Sequence, residues 1–350
     1  MSSADAEIRR CILEHGAMPF TRFMELSLYG ENGYYSTPRL AIGEDGDFVT
    51  GSSFSPLFAR ATATVLARLA KELGGSADYL EAGYGNGEHL SEVVAASPAG
   101  VCDRFLGWDR VSRELPASVR RLKSLAEIGP SSIDGLIFSY EFFDAFPVHR
   151  LIGRAEGIRE LWVTIDAEGD YQWREAEVSD PSIVDLLGGF ELADGQIADL
   201  SPHWVPTYAE LAACLVRGLL VTCDYGFERR RLFDRRVREH GTLACYSRQR
   251  VHRNPFVLVG EQDLTAHVDL TALREAGEAA GLQTISLSRQ ALWLAAAGLF
   301  EGLDQADSET REQAMNLMDG EGMGEEIRVL VQAREVAVGA VLDLDVLRPW

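Results

Sequence analysis

The chain has 350 residues, of which 46% are hydrophobic and 25% are charged, a composition that excludes disordered, collagen-like and low-complexity proteins. Asp and Glu number 54 against 33 Lys and Arg, so the formal net charge is −21. A surface this acidic argues against nucleic acid and against anionic membranes as partners. Five cysteines without a C-x-x-C pair, and no apolar run of membrane-spanning length, predict a reduced cytoplasmic protein.

Helical periodicity dominates the first part of the chain. Apolar spacing predicts helices over residues 4–14, 19–29 and 56–73. A Gly- and Tyr-rich passage and then a loop rich in Gly and Asp separate the second helix from the third. We therefore interpret residues 1–60 as an N-terminal cap segment.

Strands then alternate with helices. A strand over residues 78–83 leads into a glycine loop and a helix over 88–96. Further apolar strands are predicted over residues 104–108, 135–138 and 218–223. This alternation predicts an α/β fold with a Rossmann-like, mostly parallel, doubly wound sheet, whose ligands lie at the carboxyl ends of the strands. The core is predicted to comprise residues 61–155 and 205–335.

A different pattern interrupts this core. Residues 161–165 and 171–174 are rich in β-branched and aromatic residues, and a Glu-Gly-Asp turn separates them. They predict a hairpin, so we interpret residues 156–204 as an inserted antiparallel α+β region.

The glycine loop reads Glu81-Ala-Gly83-Tyr-Gly85-Asn-Gly87. A dinucleotide fingerprint needs glycine at its sixth position, where this chain has Glu88, a residue that would repel a pyrophosphate. This argues against a nicotinamide oxidoreductase. The acid-x-Gly-x-Gly-x-Gly pattern resembles motif I of class I S-adenosylmethionine methyltransferases. Asp109, at the end of the next strand, is positioned to accept hydrogen bonds from ribose hydroxyls.

Two carboxylates follow the third core strand. Glu141 and Asp144 lie among aromatic residues where a parallel strand presents its ligands, and they share a face if a helix starts there. Asp144 could equally be a helix N-cap.

The segment 263–270 alternates between polar and apolar residues. On one strand, Asp263, Thr265, His267 and Asp269 would share a face and form a polar cluster on the acceptor side. In the alternative, Asp269 caps the following helix and His267 has a structural role. We expect no metal site.

One cluster of arginines either contacts an acidic partner or only neutralises local charge: Arg229, Arg230, Arg231, Arg235, Arg236 and Arg238.

Residues 141–149, Glu-Phe-Phe-Asp-Ala-Phe-Pro-Val-His, resemble the signature of the MidA-like methyltransferases. This family includes the mitochondrial complex I assembly-factor arginine methyltransferase. Other family motifs are matched in order by residues 20–35, 46–50, 224–226, 260–273 and 323–325. The resemblance extends over roughly residues 18–332 and implies a methyltransferase core, S-adenosylmethionine as the methyl donor, and protein arginine as one acceptor class.

The resemblance also implies roles for individual residues. The cofactor would be held by Asp47, Thr50, Glu81, Gly83, Gly85, Gly87 and Asp109. The catalytic residues would be Glu141, Asp144 and His149. The acceptor would be contacted by Tyr140, Asp224, Tyr225 and His267. Departures from the family pattern at Ser53, Tyr84 and Tyr140 bear on the acceptor more than on the cofactor.

Three interpretations of the function follow. In the main one, a methyl group is transferred to a nitrogen acceptor. The alternatives are a small-molecule O- or N-methyltransferase on the same scaffold and a non-catalytic cofactor-binding assembly factor. The expected partner is a protein or a small methyl acceptor, and a homodimer is left open.

Overall fold

Strands and helices alternate through the middle of the chain in the computed structural model, which describes residues 2–37, 56–247, 250–318 and 327–347. The strands are β1 Met18–Pro19, β2 Ala77–Ala82, β3 Cys102–Trp108, β4 Val119–Leu122, β5 Ile133–Tyr140, β6 His149–Arg154, β7 Gly157–Ile165, β8 Tyr171–Ala176, β9 Ile197–Leu200, β10 Leu215–Phe227, β11 Ala244–Ser247, β12 Arg250–His252, β13 Asp263–Thr265, β14 Val268–Asp269, β15 Gln283–Arg289 and β16 Ile327–Arg334.

The α-helices of the same residues range from one turn to nearly five turns. They are α1 Ser3–His15, α2 Phe20–Tyr29, α3 Pro56–Glu72, α4 Glu88–Ala96, α5 Ser182–Asp185, α6 Trp204–Cys214, α7 Arg229–Leu232, α8 Arg235–Arg238, α9 Leu270–Ala279, α10 Gln290–Ala296, α11 Ser308–Met318 and α12 Leu344–Leu347. Among the described residues, none of the helices has the length and apolar character that crossing a membrane requires.

Residue contacts divide the chain into two compact units. Unit 1 comprises Met1–Val49, Phe143–Trp204 and Phe227–Thr271, and unit 2 comprises Thr50–Phe142, Val205–Gly226 and Ala272–Trp350. The three-part division expected from the sequence stays a prediction.

Unit 2 is built on a large sheet in the order β15-β16-β10-β5-β2-β3-β4. Strands β10, β5, β2, β3 and β4 run parallel to one another. The antiparallel strand β16 lies between β10 and β15. The predicted α/β class with a mostly parallel, doubly wound sheet is confirmed. The chain order reverses between β2 and β5, so a ligand crevice is expected outside the carboxyl ends of these two strands.

Apolar burial explains why this sheet forms. Every residue of β2 is buried, as expected of a parallel strand covered on both faces. Phe58 of α3 packs against Phe138 of β5 and Trp293 of α10, with ring centroids 6.2 and 5.5 Å away. Each aromatic ring that is removed from water in this way contributes about 2–3 kcal/mol.

Unit 1 contains antiparallel sheets. One has the order β1-β7-β6-β9, with β8 paired to β7, and includes the predicted hairpin as β7 and β8. The other has the order β12-β11-β13. The predicted hairpin is therefore part of a larger sheet that also recruits β1 from the N-terminal part of the chain, through Met18 opposite Val163.

Candidate functional site

The glycine loop connects β2 to α4 at the predicted crevice of unit 2. Gly83, Gly85 and Gly87 have φ angles of +73°, +54° and +80°. The amide of Gly83 donates a hydrogen bond to the carbonyl of Trp108, 2.8 Å away, which ties the loop to the end of β3. A chain that turns through three left-handed glycines leaves its backbone uncovered, so a ligand can approach it closely.

Phe142 closes one side of this loop. A Cβ on Gly83 would lie 2.3 Å from the ring of Phe142, so only glycine fits there. The ring of Phe142 also meets the ring of Trp108 edge to face, with centroids 5.6 Å apart. The chain that follows β5 is therefore packed directly on the glycine loop.

Asp109 lies against the same loop. Its carboxylate accepts hydrogen bonds from the amides of Gly85, at 2.9 Å, and Val111, at 2.8 Å. Burial raises the pKa of Asp109 to about 6, although these two amides act in the opposite direction. The carboxylate thus shapes the loop and titrates near neutral pH.

The side chain of Glu81 lies in the interior of unit 2, where it contacts Tyr79 and His89. It is buried, and its Oε2 accepts a hydrogen bond from the Tyr79 hydroxyl at 2.7 Å and lies 2.9 Å from Nδ1 of His89. Burial, together with the Glu81 carboxylate, raises the pKa of Tyr79 well above its usual value, so Tyr79 remains a donor. Nε2 of His89 lies 3.4 Å from the hydroxyl of Thr62 in α3. Sequence patterns missed this network, since His89 reads as an ordinary residue in the first turn of a helix.

Glu141 directly follows β5 and has an unusual backbone conformation. Its φ is +45°, a left-handed value that costs a non-glycine residue about 1–2 kcal/mol. The amide of Glu141 donates to the carbonyl of Cys223 at 2.9 Å, and the amide of Phe142 donates to Oδ2 of Asp224 at 3.2 Å. These contacts to β10 hold the strained turn, and such strain is concentrated at functional sites.

No helix starts at Glu141, so the condition under which Glu141 and Asp144 would share a helix face is not met. Residues 141–148 form turns, because Glu141 is left-handed and Pro147 disfavours a helical residue before it. Asp144 is therefore no helix N-cap. Glu141 belongs to unit 2, whereas Asp144 belongs to unit 1.

The predicted acceptor residues of unit 2 lie in the two strands beside this turn, Tyr140 in β5 and Asp224 and Tyr225 in β10. Tyr140 is buried, and its hydroxyl donates a hydrogen bond to Oε1 of Gln290 at 2.8 Å. Burial and the neighbouring Glu141 raise the pKa of Tyr140. Asp224 is fully buried beneath the amide of Phe142. Tyr225 is half-buried and lies opposite Ile327 in the pairing of β10 with β16. Direct contact of these residues with an acceptor stays a prediction.

In unit 1, His149 is held by a carboxylate that the sequence patterns did not reveal. Nδ1 of His149 lies 2.7 Å from Oε1 of Glu160, whose side chain in β7 is completely buried. The amide of Ser179 donates to the other oxygen of Glu160 at 2.6 Å. Burial tends to raise the pKa of Glu160, but the hydrogen bonds from His149 and Ser179 outweigh it and lower the pKa. An ionised Glu160 can accept a hydrogen bond from Nδ1 of His149, which orients the ring.

Asp144 lies in a buried polar region of unit 1. Its carbonyl accepts a hydrogen bond from the amide of Ala266 at 2.9 Å, and its side chain is buried. Tyr35 donates its hydroxyl hydrogen bond to Asp263 Oδ1 at 2.7 Å. The pKa of Tyr35 is raised by burial first, and then by the carboxylates of Asp263 and Asp144 and by Tyr29.

The predicted alternating strand over 263–270 is broken into β13 and β14, with Ala266 and His267 between them. The amide of His267 donates to the Thr242 hydroxyl at 3.1 Å. Burial, and then the charges of Arg238 and Arg253, lower the pKa of His267 to about 4, so the ring is neutral at physiological pH. Asp269 accepts a hydrogen bond from the amide of Thr271 and caps α9, as in the alternative interpretation.

Some predicted residues lie outside the described residues, namely Asp47, Thr50, Ser53 and the motif over 323–325. Within the part of the chain that the structure describes, no group of three or more His, Cys, Asp or Glu side chains is arranged to hold a metal ion.

The chain is similar in sequence and in fold to S-adenosyl-L-methionine-dependent methyltransferases. Residues 63–288 match the family model described as "Putative S-adenosyl-L-methionine-dependent methyltransferase". A crystal structure of a superfamily member from Burkholderia thailandensis, bound to S-adenosyl-homocysteine, is 30% identical and superposes with a TM-score of 0.85 over 95% of this chain and 92% of its own. A native structure from the same organism is 29% identical, with a TM-score of 0.82 and the same coverage.

A curated relative matches at lower identity. The protein arginine methyltransferase NDUFAF7 homologue, mitochondrial, of Drosophila melanogaster is 22% identical over 318 residues. The match covers 79% of this chain and 70% of the relative.

Proposed function

Because this chain belongs to the family of S-adenosyl-L-methionine-dependent methyltransferases, we propose that it transfers the methyl group to a nitrogen of a protein arginine. The enzyme class and the cofactor follow from the family and from the relative with bound S-adenosyl-homocysteine. The acceptor is the proposed part. It is supported by the relative named a protein arginine methyltransferase and by the carboxylate at the end of β5.

The residues present fit the cofactor. Three left-handed glycines at the switch point of the sheet present bare backbone to a ligand, and the Asp109 carboxylate accepts a hydrogen bond from the amide of Gly85 in the same loop. Gly83, Gly85, Gly87 and Asp109 would hold the cofactor, with Glu81 supporting the loop from inside. When bound, S-adenosyl-L-methionine supplies a methyl group on a sulfonium centre. The chain has to bind the acceptor, orient it and exclude water.

Cofactor affinity is expected to fall as the pH drops through about 6, the pKa of Asp109. The ionised carboxylate accepts hydrogen bonds from ribose hydroxyls, whereas the protonated acid has lost its charge and part of its acceptor capacity. Calorimetric titration with S-adenosyl-L-methionine across this range measures the effect. In Asp109→Asn the affinity should be lower and nearly independent of pH. A wild-type affinity that does not change with pH would contradict this role for Asp109.

A single observation carries the acceptor proposal. Glu141 is held in a left-handed turn next to Phe142, which packs on Gly83 of the cofactor loop. A carboxylate at that place can bind a protonated guanidinium through paired, charge-assisted hydrogen bonds. Such binding would fix one guanidinium nitrogen in position for the transfer.

The guanidinium must lose a proton after the transfer. The resemblance offers Asp144 and His149 as candidate acceptors of that proton, and both stay predictions. Within unit 1, the contact of His149 Nδ1 with Glu160 fixes the orientation of the His149 ring. Five free cysteines also support the cytoplasm as the proposed compartment.

A small-molecule acceptor is the second candidate. It is favoured by the edge-to-face pair of Trp108 and Phe142 beside the glycine loop, since such rings bind aromatic metabolites well.

Labelling of a cell lysate tests the acceptor. The purified chain and tritiated S-adenosyl-L-methionine are expected to place acid-stable label in the protein fraction, recovered as methylarginine after hydrolysis. Glu141→Gln serves as the matched inactive enzyme. Label confined to small molecules would favour the second candidate. If the cofactor binds but no label is transferred, the non-catalytic assembly factor would be favoured instead.

A further inference from the structure

Arginines are concentrated in one short stretch of unit 1. Between Glu228 and Arg238 the chain carries six arginines against two carboxylates, although the whole protein has a net charge of −21. We call this set the arginine patch, which consists of Arg229, Arg230, Arg231, Arg235, Arg236 and Arg238. None of the roles proposed above for cofactor or acceptor binding involves the arginine patch.

Two guanidinium groups of the arginine patch are stacked on one ring. The guanidinium carbons of Arg231 and Arg238 lie 4.5 and 4.1 Å from the ring centroid of Phe227. Nη1 of Arg238 also donates to the carbonyl of Arg231 at 3.1 Å. Burial and the charge of Arg231 lower the pKa of Arg238, although Asp234 acts in the opposite direction. The fold thus holds like charges together, and an anion bound there would reduce their repulsion.

Only part of this charge is neutralised internally. Arg229 pairs with the buried Asp269 at 2.7 Å, and Arg235 pairs with Glu239 at 2.9 Å. Within the described ranges, Arg230 and Arg231 have no carboxylate at ion-pair distance. The side chain of Arg236 is 92% exposed and lies 3.9 Å from Asp234. Positive charge therefore remains available at the surface.

The arginine patch borders a cavity of about 650 Å³. Three arginines and two carboxylates line it, and its full lining is Gly188, Gly189, Phe190, Glu228, Arg229, Arg230, Arg231, Asp234 and Thr271. A Cβ on Gly188, whose φ is +61°, would lie 2.4 Å from Nη1 of Arg229, so the guanidinium lies against bare backbone. The cavity is large enough for one or more side chains of a docked peptide.

We propose that the arginine patch is a docking surface for an acidic segment of a protein partner. Guanidinium groups bind carboxylates with matched, paired hydrogen bonds. Phe190 in the cavity and the exposed Val237 between Arg236 and Arg238 supply apolar contacts for a peptide. A long polyphosphate chain would extend from the patch over the acidic remainder of the surface and be repelled there, whereas a short acidic segment can stay within the patch. The proposal concerns binding and does not depend on which acceptor is methylated.

Fluorescence anisotropy of the full chain tests the proposal. The probe is a fluorescein-labelled peptide of alternating glutamate and leucine, with a lysine–leucine peptide as its counterpart. The wild type is expected to bind only the acidic peptide, and more weakly at higher ionic strength. In the combined variant Arg230→Gln, Arg231→Gln and Arg236→Gln, the dissociation constant should rise about tenfold or more.

A second variant separates a local surface from the overall charge. Arg10, Arg60 and Arg174 are exposed and dispersed, and their combined replacement by glutamine changes the net charge equally. It should leave peptide binding within about twofold of wild type. Thermal unfolding and cofactor titration verify that both variants are folded. The proposal is overturned if the wild type does not bind the acidic peptide or if both variants lose binding equally. It is also overturned if polyuridylate binds more tightly than the peptide at the same arginines.

Discussion

Replacing Glu141 with glutamine is expected to lower the methyl-transfer rate at least about a hundredfold while cofactor affinity stays within about twofold. The amide keeps the size of the side chain and the backbone turn, but it loses the charge that pairs with a guanidinium. Rates with saturating cofactor and calorimetry with S-adenosyl-L-methionine measure the two quantities separately. Glu210→Gln, at an exposed position of α6, is the matched control and should behave as wild type.

The left-handed backbone of Glu141 provides a second measurement. Glu141→Gly should abolish transfer, yet it should raise the free energy of unfolding by about 1 kcal/mol, because glycine adopts a φ of +45° without strain. A more stable, inactive variant would identify a residue retained for function at the expense of stability. Wild-type turnover in Glu141→Gln would rule out the assigned role. Loss of cofactor binding in that variant would make Glu141 a cofactor ligand.

Gly83→Ala is expected to lower the free energy of unfolding by about 2–4 kcal/mol and to abolish cofactor binding. The new Cβ would lie 2.3 Å from Phe142 at a φ of +73°, so both the backbone and the packing are strained. Urea unfolding and calorimetric titration measure the two losses.

Two further variants separate the causes. Gly100 has a φ of +80°, but no atom lies within 4 Å of its Cβ position, so Gly100→Ala should show only the backbone cost. Combining Gly83→Ala with Phe142→Ala should recover about 1–2 kcal/mol, because the clash is then removed. If Gly83→Ala and Gly100→Ala cost the same, Phe142 does not close the loop.

Local sequence patterns were sufficient to predict many of the strands and helices of unit 2. Runs of apolar and β-branched residues located β2, β3, β5 and β10, and apolar spacing located α3 and α4 within one or two residues. The glycine loop could be interpreted because its spacing is itself the signal. The antiparallel insertion of β16 could not be foreseen, since residue periodicity specifies a strand but neither its neighbour nor its direction.

The interior of the site depends on distant partners instead. Spacing alone left open whether a helix starts at Glu141, whereas contacts to Cys223 and Asp224, about eighty residues away, hold a left-handed turn there. Glu160 reaches His149 only because β6 and β7 pair as a hairpin. No short pattern encodes such pairs, so Tyr79, His89 and Glu160 gave no signal in the sequence.

The position of β16 also determines the order in which the large sheet can be completed. β10 ends at Phe227, whereas its neighbour β16 begins at Ile327, and β15 is joined to the sheet through β16. At ordinary rates of synthesis on the ribosome, about 5–20 s therefore pass between the completion of β10 and the start of β16. Until then, the edge of β10 that pairs with β16 has no partner strand. During this time, a strand built from Leu219, Val221 and Cys223 presents unpaired amides and carbonyls. A nascent chain of this protein must be kept from edge-to-edge association until β16 has been made.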